Sequence, residues 1–339
     1  MKRALPFVGS RVVKTGVAVF LTAWICNLLN WPPVFAVITA IVTLEPTVAD
    51  SIKKGIVRFP ASAIGSFYAV LFISLFGNSP ITYTFAAVFT IATCFRLKLH
   101  AGLLVATLTA VAMVEVIHSN FVVSFFIRLG TTTTGLVVST IVNMFVLPPD
   151  YTKEIVEVMS KARRQTGEII SKVFKDILNN KHEEDAVDIE MIQKLDKKLF
   201  NIETLIRFQQ EESKFHPMVG NEKERFQEAR RHLQDLRLIH YHLDNLVHTQ
   251  LKCPAWSHNE NEIILEAVAA LEQTMSNQSS YNRGDHIRRF NKLMELFWED
   301  NEEITKKNDK HPTRFPPELI ILYELLSIYK LVIRYYTKK

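Results

Sequence analysis

Residues 33–65, PVFAVITAIVTLEPTVADSIKKGIVRFPASAIG, decide the fold when they are laid over residues 103–135, LLVATLTAVAMVEVIHSNFVVSFFIRLGTTTTG. At this offset of 70, Ala36 falls on Ala106, Thr39 on Thr109, Ala40 on Ala110, Glu45 on Glu115, Arg58 on Arg128 and Gly65 on Gly135. These six identities fall within thirty positions, where roughly two are expected by chance in so apolar a composition. The shared frame is an apolar segment with Thr-Ala, then Glu, then Arg, then Gly seven residues further on.

Around this repeat the first half of the chain is a series of apolar runs at 12–30, 33–49, 58–77, 80–95, 99–118 and 121–147. Several are shorter than the ~20 residues of a straight membrane span, so the connections carry the argument. Lys2, Arg3, Arg11 and Lys14 precede the first run or open it; Lys53, Lys54 and Arg58 follow the second. Arg96, Lys98 and His100 follow the fourth, and Lys153, Lys161, Arg163 and Arg164 follow the sixth. The other three connections hold no Lys or Arg. Basic residues after every second span are the positive-inside pattern, which predicts about six spans with both termini cytoplasmic; four spans keep the same parity. The basic start and the apolar stretch 17–29 mimic a signal peptide, but Pro32-Pro33 and more apolar sequence follow at once, so this reads as a retained first span.

Three spans separate equivalent points of the repeat, and an odd number reverses direction across the bilayer. The fold class expected is therefore all-α, a polytopic membrane domain with a 3+3 inverted repeat, joined to a soluble cytoplasmic helical bundle. Glu45 and Arg58 are then expected toward the cytoplasmic side, and Glu115 and Arg128 toward the outer side. Ionisable residues within spans are costly and mark wet cavities or bundle interiors, so Arg128, Arg58, Glu115 and Glu45 are the candidate substrate-binding residues. A guanidinium presents a planar fork to a carboxylate, and helix starts at 58 and 121 would add free N–H groups near both arginines. The structural alternatives are specific. Glu115 and Arg128 flank one short turn and could neutralise each other. Arg58 could be an interface anchor, and Thr131–Thr134 could bond back to their own helix. Trp24 and Trp31 read as interface-belt residues.

Charge confirms a division near Pro148-Pro149, with a transmembrane domain at 1–149 and a helical domain at 150–339. Residues 1–150 hold ten Lys/Arg against four Asp/Glu, a net +6, and the rest holds thirty against thirty-one, a net −1. The overall +5 is membrane-flanking basicity, not a nucleic-acid surface. Cys26, Cys94 and Cys253 are isolated and form no disulfide framework. After Asp150, a potential N-cap, helical stripes are predicted at 151–178, 187–214, 221–251, 259–279 and 284–306, with a last buried bundle helix or dimer contact from Pro316-Pro317 to Tyr336. His232, His240, His242 and His248 lack the spacing of helical metal ligands. No Gly-rich phosphate loop, GxSxG or paired Cys/His site is present, so no enzyme, metal or cofactor is expected.

The Pro-Pro after the first helix, the Arg-x6-Gly in the third and sixth helices, and the appended helical domain resemble the bacterial aromatic acid exporter family, within the fusaric-acid-resistance-like superfamily. Plant aluminium-activated malate channels look like distant relatives, whose membrane arginines would correspond to Arg58 and Arg128 by position in the repeat. The resemblance implies export of organic, often aromatic, carboxylates through the plasma membrane by a homodimer, without ATP. Glu45, Glu115 and His118 would be the candidates for proton coupling. Partners are then the lipid bilayer, small organic anions and a second copy, with no nucleic acid. The competing readings are a passive organic-anion channel and a membrane-anchored scaffold or sensor acting through the helical domain.

Overall fold

The computed structural model describes residues 9–116, 120–179, 186–249, 254–307 and 316–337. Lys2, Arg3, His118 and Cys253 lie outside them. The described residues form helices and no strand, in two compact units: Met1–Asp150 with Gln210–Pro217, and Tyr151–Gln209 with Met218–Lys339.

The first unit contains α1 (Ser10–Leu28), α2 (Pro33–Thr43), α3 (Val48–Phe76), α4 (Pro80–Arg96), α5 (Leu103–Val116) and α6 (Phe121–Phe145). By length and composition α1, α3 and α6 are able to cross a membrane. At 11 residues α2 extends only ~16 Å, and at 14 residues α5 extends ~21 Å, against a hydrocarbon core of ~30 Å. Each half of the repeat thus contains one apolar helix, α2 or α5, that is shorter than α1, α3 and α6.

The repeat is legible in the packing. Helix α3 packs on α5, and its counterpart α6 packs on α2; α1 packs on α2 and α6, and α4 on α5 and α3. The two long repeat helices, α3 and α6, meet each other, and there the Ser62 and Thr132 hydroxyls, themselves 70 residues apart, are hydrogen-bonded at 3.1 Å. A Cβ on Gly65 would collide with the Ala106 carbonyl oxygen, and one on Gly135 with the Ala36 carbonyl oxygen. These are the same contact made twice, and they explain why glycine stands at both positions: only a hydrogen allows the backbones to approach so closely.

The repeat also reaches α1 and α4, at an offset of 68 rather than 70. Their buried faces are Lys14, Ala18, Thr22 and Cys26 on one and Thr82, Ala86, Thr90 and Cys94 on the other. Both helices end alike. Trp31 N donates to Cys26 O at 2.9 Å and Leu99 N to Cys94 O at 2.9 Å, with Asn30 (φ 52°) and Lys98 (φ 57°) in the left-handed region. Two extra residues between α4 and α5, where His100–Gly102 form a 3-10 turn, account for the change of offset.

One boundary differs from expectation. Helix α3 begins at Val48, not near Arg58: the Thr47 hydroxyl accepts from Asp50 N at 3.0 Å as an N-cap, and Asp50 suits the positive end of the helix. The charged stretch through Lys53 and Lys54 is therefore helix rather than connection. Arg58 is the eleventh residue of α3 and Arg128 the eighth of α6, beyond the free N–H groups of either start.

The second unit is a bundle of α7 (Thr152–Leu178), α8 (Ala186–Glu212, whose last turn belongs to the first unit), α9 (Glu222–His248), α10 (His258–Ser276), α11 (Arg283–Lys307) and α12 (Pro317–Tyr336). Helix α7 starts after Tyr151 rather than at an Asp150 cap; Tyr151 N donates to Gln209 Oε1 at 2.8 Å. A Ser257–Glu260 capping box opens α10, and proline at the first turn opens α12. Helix α12 is a core helix: Ile321, Leu325, Ile328, Tyr329 and Val332 are buried, and the Tyr329 hydroxyl donates to Ala267 O at 2.7 Å.

Candidate functional site

The four predicted site residues fall into two unequal pairs. Glu45 lies just beyond the end of α2, and its Oε1 accepts from Arg58 Nη2 at 2.7 Å while its Oε2 accepts from Lys54 Nζ at 2.8 Å. Arg58 Nε also donates to the Ala101 carbonyl oxygen at 3.2 Å. Glu115, in the last turn of α5, instead accepts from the Tyr83 hydroxyl at 2.6 Å, on the exposed side of the unit.

Arg128 is left without an acidic partner among the described residues. Only 4% of it is exposed, yet Nε and Nη1 have no hydrogen-bond partner among the described residues, and Nη2 donates to the Thr109 hydroxyl. Its Cζ lies 4.2 Å from the centre of the Phe35 ring, a cation–π contact. Removing a cation from water without a counter-charge costs several kcal/mol, which makes Arg128 a costly residue as it stands. The four threonines after it all turn back on α6, Thr131 and Thr132 to Arg128 O at 2.9 Å, Thr133 to Leu129 O and Thr134 to Gly130 O. Trp24 is exposed, and Trp31 lies against Gly130.

The Arg58 end carries a further polar network. Lys14 Nζ, buried on α1, donates to Asn143 Oδ1 at 2.8 Å. Asn143 Nδ2 donates to Glu45 O and to Ser51 Oγ, both at 3.0 Å. The chain at 210–217 adds two carboxylates to this unit: Glu212 accepts from Val48 N at 3.1 Å and from His216 at 2.7 Å, and Glu211 from the Thr47 hydroxyl at 3.4 Å. At the Arg128 end the repeat equivalents of Lys14 and Asn143 are Thr82 and Ile73, which make no such network.

Phe35, Lys14, Ser51 and Asn143 escape sequence reading. Phe35 is one apolar residue in an apolar run, and Lys14 reads as part of a basic flank. Thr109 was visible through the repeat but not as an arginine partner. In the bundle the α9 histidines go separate ways. His232 stacks on Tyr335 at 3.9 Å, His240 meets Ile192 O, His242 bonds Glu324 and His248 bonds Asp244. A groove of about 1120 Å³ lies between α9 and α12, lined in part by Arg237, Lys330 and Arg334. Arg334 and Arg237 are already paired there, with Asp235 and Glu203 respectively, both at 2.5 Å.

Apolar helices that repeat around a buried arginine define a helical membrane protein. The chain belongs to the aromatic acid exporter family: the profile of Aromatic acid exporter family member 1 matches residues 7–146. It is similar along nearly its whole length to members of the UPF0421 group. These include the UPF0421 protein OB2406 of Oceanobacillus iheyensis, 48% identical over 97% of this chain and 95% of that protein. A UPF0421 protein of Bacillus cereus is 40% identical over 96% and 92%, and SH1063 of Staphylococcus haemolyticus is 34% identical over 98% of each.

Proposed function

We propose that the protein carries organic carboxylates, including aromatic ones, out of the cell across the plasma membrane, with Arg128 as the anion contact. The observation that carries this reading is the buried guanidinium of Arg128 with two unpaired donors beside the Phe35 ring. A carboxylate would complete the guanidinium fork, and an apolar or aromatic body would lie on Phe35. Glu45, Glu115 and Arg58 complete the pathway. The spans number six, with both termini cytoplasmic, a homodimer is the working form, and the helical bundle serves dimerisation or regulation. A passive channel would use the same arginines. A scaffold anchored by this unit has no need of an unpaired buried cation.

The test is flux in liposomes made with the full chain, using benzoate and malate with and without a pH gradient. Arg128→Gln is expected to lower benzoate flux at least tenfold while leaving expression and insertion normal. Unchanged flux would make the arginine structural, and no flux from well-folded wild-type protein would favour the scaffold. Dependence on the pH gradient separates an exporter from a channel.

A further inference from the structure

The two halves of the membrane unit repeat each other in helix packing, glycine contacts and helix ends, but not in their ion pairs. Glu45 holds Arg58; Glu115, at the same spacing of 13 residues from its arginine, does not hold Arg128. The cause is local. Helix α2 ends at Thr43, whose repeat equivalent is Met113, but α5 continues to Val116. That added turn carries Glu115 to Tyr83. The residue following Glu45 is Pro46, and the residue following Glu115 is Val116. Proline drives the residue before it out of the helical region, so Glu45 is kept off the end of α2 and free to reach Arg58, whereas Val116 allows the helix to continue through Glu115.

We propose that Glu45 and Glu115 are tethered carboxylates that take turns on their arginines, and that unwinding of the last turn of α5 is the step that exchanges them. This rests on the anion-transport reading above. In the state described here Glu45 closes the Arg58 end and Arg128 is ready for a substrate carboxylate. In the second state Glu115 releases Tyr83, takes Arg128 and displaces the substrate from it, while Arg58 gives up Glu45. The near-symmetry of the packing makes the second state accessible, since the α3–α5 and α6–α2 contacts have the same character. The additional Lys14–Asn143–Ser51 network has no counterpart among the described residues of the other end and favours the state seen here.

The decisive variant copies one repeat onto the other. Val116→Pro ends α5 where Pro46 ends α2 and holds Glu115 on Arg128. Benzoate binding to the purified full chain is expected to weaken at least tenfold, and adding Glu115→Gln to the same chain is expected to restore binding to within about twofold of Glu115→Gln alone. A proline that merely damages the helix would not be rescued by removing a carboxylate, and that result would overturn the exchange. If Arg128→Gln leaves flux unchanged, the transport reading itself fails. If Arg128→Gln abolishes flux but Glu115→Gln does not rescue Val116→Pro, only the exchange fails.

Should Val116→Pro prevent folding, the reverse change decides. Pro46→Ala lets α2 continue and withdraws Glu45 from Arg58. In a chain whose three cysteines are replaced by alanine, a Ser51→Cys reporter, buried here behind Glu45, should then react with a water-soluble maleimide at least fivefold faster. An unchanged labelling rate would overturn the exchange.

Discussion

Two buried arginines, Arg163 of the helical bundle and Arg128 of the membrane unit, are treated in opposite ways. In the helical bundle Arg163, 9% exposed, donates through Nη1 to the Met275 carbonyl oxygen at 2.6 Å and to the Tyr336 hydroxyl at 3.1 Å. Asp235 is held by Arg334, and Glu324 by His242 and Asn245. In the membrane unit Arg128 is buried more deeply and has fewer partners. Both guanidiniums were desolvated on folding, but only the bundle recovered that cost in hydrogen bonds. A buried group left so far uncompensated calls for an explanation that Arg163 does not, and the anion contact proposed above supplies one.

The largest effect on stability follows directly. Arg163→Met leaves the Met275 carbonyl and the Tyr336 hydroxyl to find new partners, and should destabilise the bundle by about 2–4 kcal/mol. Arg128→Met removes a charge that has almost no partners, so the unfolding temperature of the membrane unit should stay the same or rise while flux is lost. Thermal unfolding in detergent compares the two. Equal losses of stability from both would break the comparison and make Arg128 another structural arginine.

A smaller effect is expected at Asp235. Its carboxylate is buried, but its partner Arg334 has a side chain 57% exposed to water. Asp235→Asn frees Arg334 to be solvated instead of stranding it, so the cost should be about 1 kcal/mol and should shrink at high salt. A loss as large as that of Arg163→Met would mean that the pair behaves as buried, with Arg334 unable to reach solvent.

How far this was legible in sequence differs between the units for a physical reason. The bundle helices end at caps, prolines and polar breaks, and their apolar stripes recur every three to four residues, so their limits fall within a few residues of expectation. Inside a membrane, apolar residues fill all faces of a helix and the stripe vanishes. What remains readable there is the rare residue, which is why Glu, Arg and Gly exposed the repeat. A comparison at one fixed offset could not see that Ala18, Thr22 and Cys26 match Ala86, Thr90 and Cys94, because two residues inserted before α5 shift the register. The start of α3 was misplaced because Lys53, Lys54 and Arg58 suit a cytoplasmic connection and a helix end equally well. Phe35 could not be distinguished from lipid-facing neighbours without knowing that Arg128 lies over it.

The mildest prediction concerns pH and belongs to the bundle alone. His232 is stacked on Tyr335, and His286 has its Nε2–H directed at the Tyr329 carbonyl oxygen at 3.0 Å; burial holds both below the ordinary histidine value. A buried neutral imidazole binds its proton less readily than the same residue in the unfolded chain, so between the folded-state value and about 6.5 the unfolded state holds more protons. Stability contributed by these two residues is complete above about pH 6.5 and is lost as pH falls toward their folded-state values. Fluorescence of Trp256 and Trp298, with Trp24 and Trp31 replaced by Phe, follows the bundle separately from the membrane unit. The unfolding midpoint should decline below about pH 6.5, and the double variant His232→Gln/His286→Gln should flatten that decline. If the double variant declines just as steeply, the bundle's sensitivity to acid lies outside these two histidines.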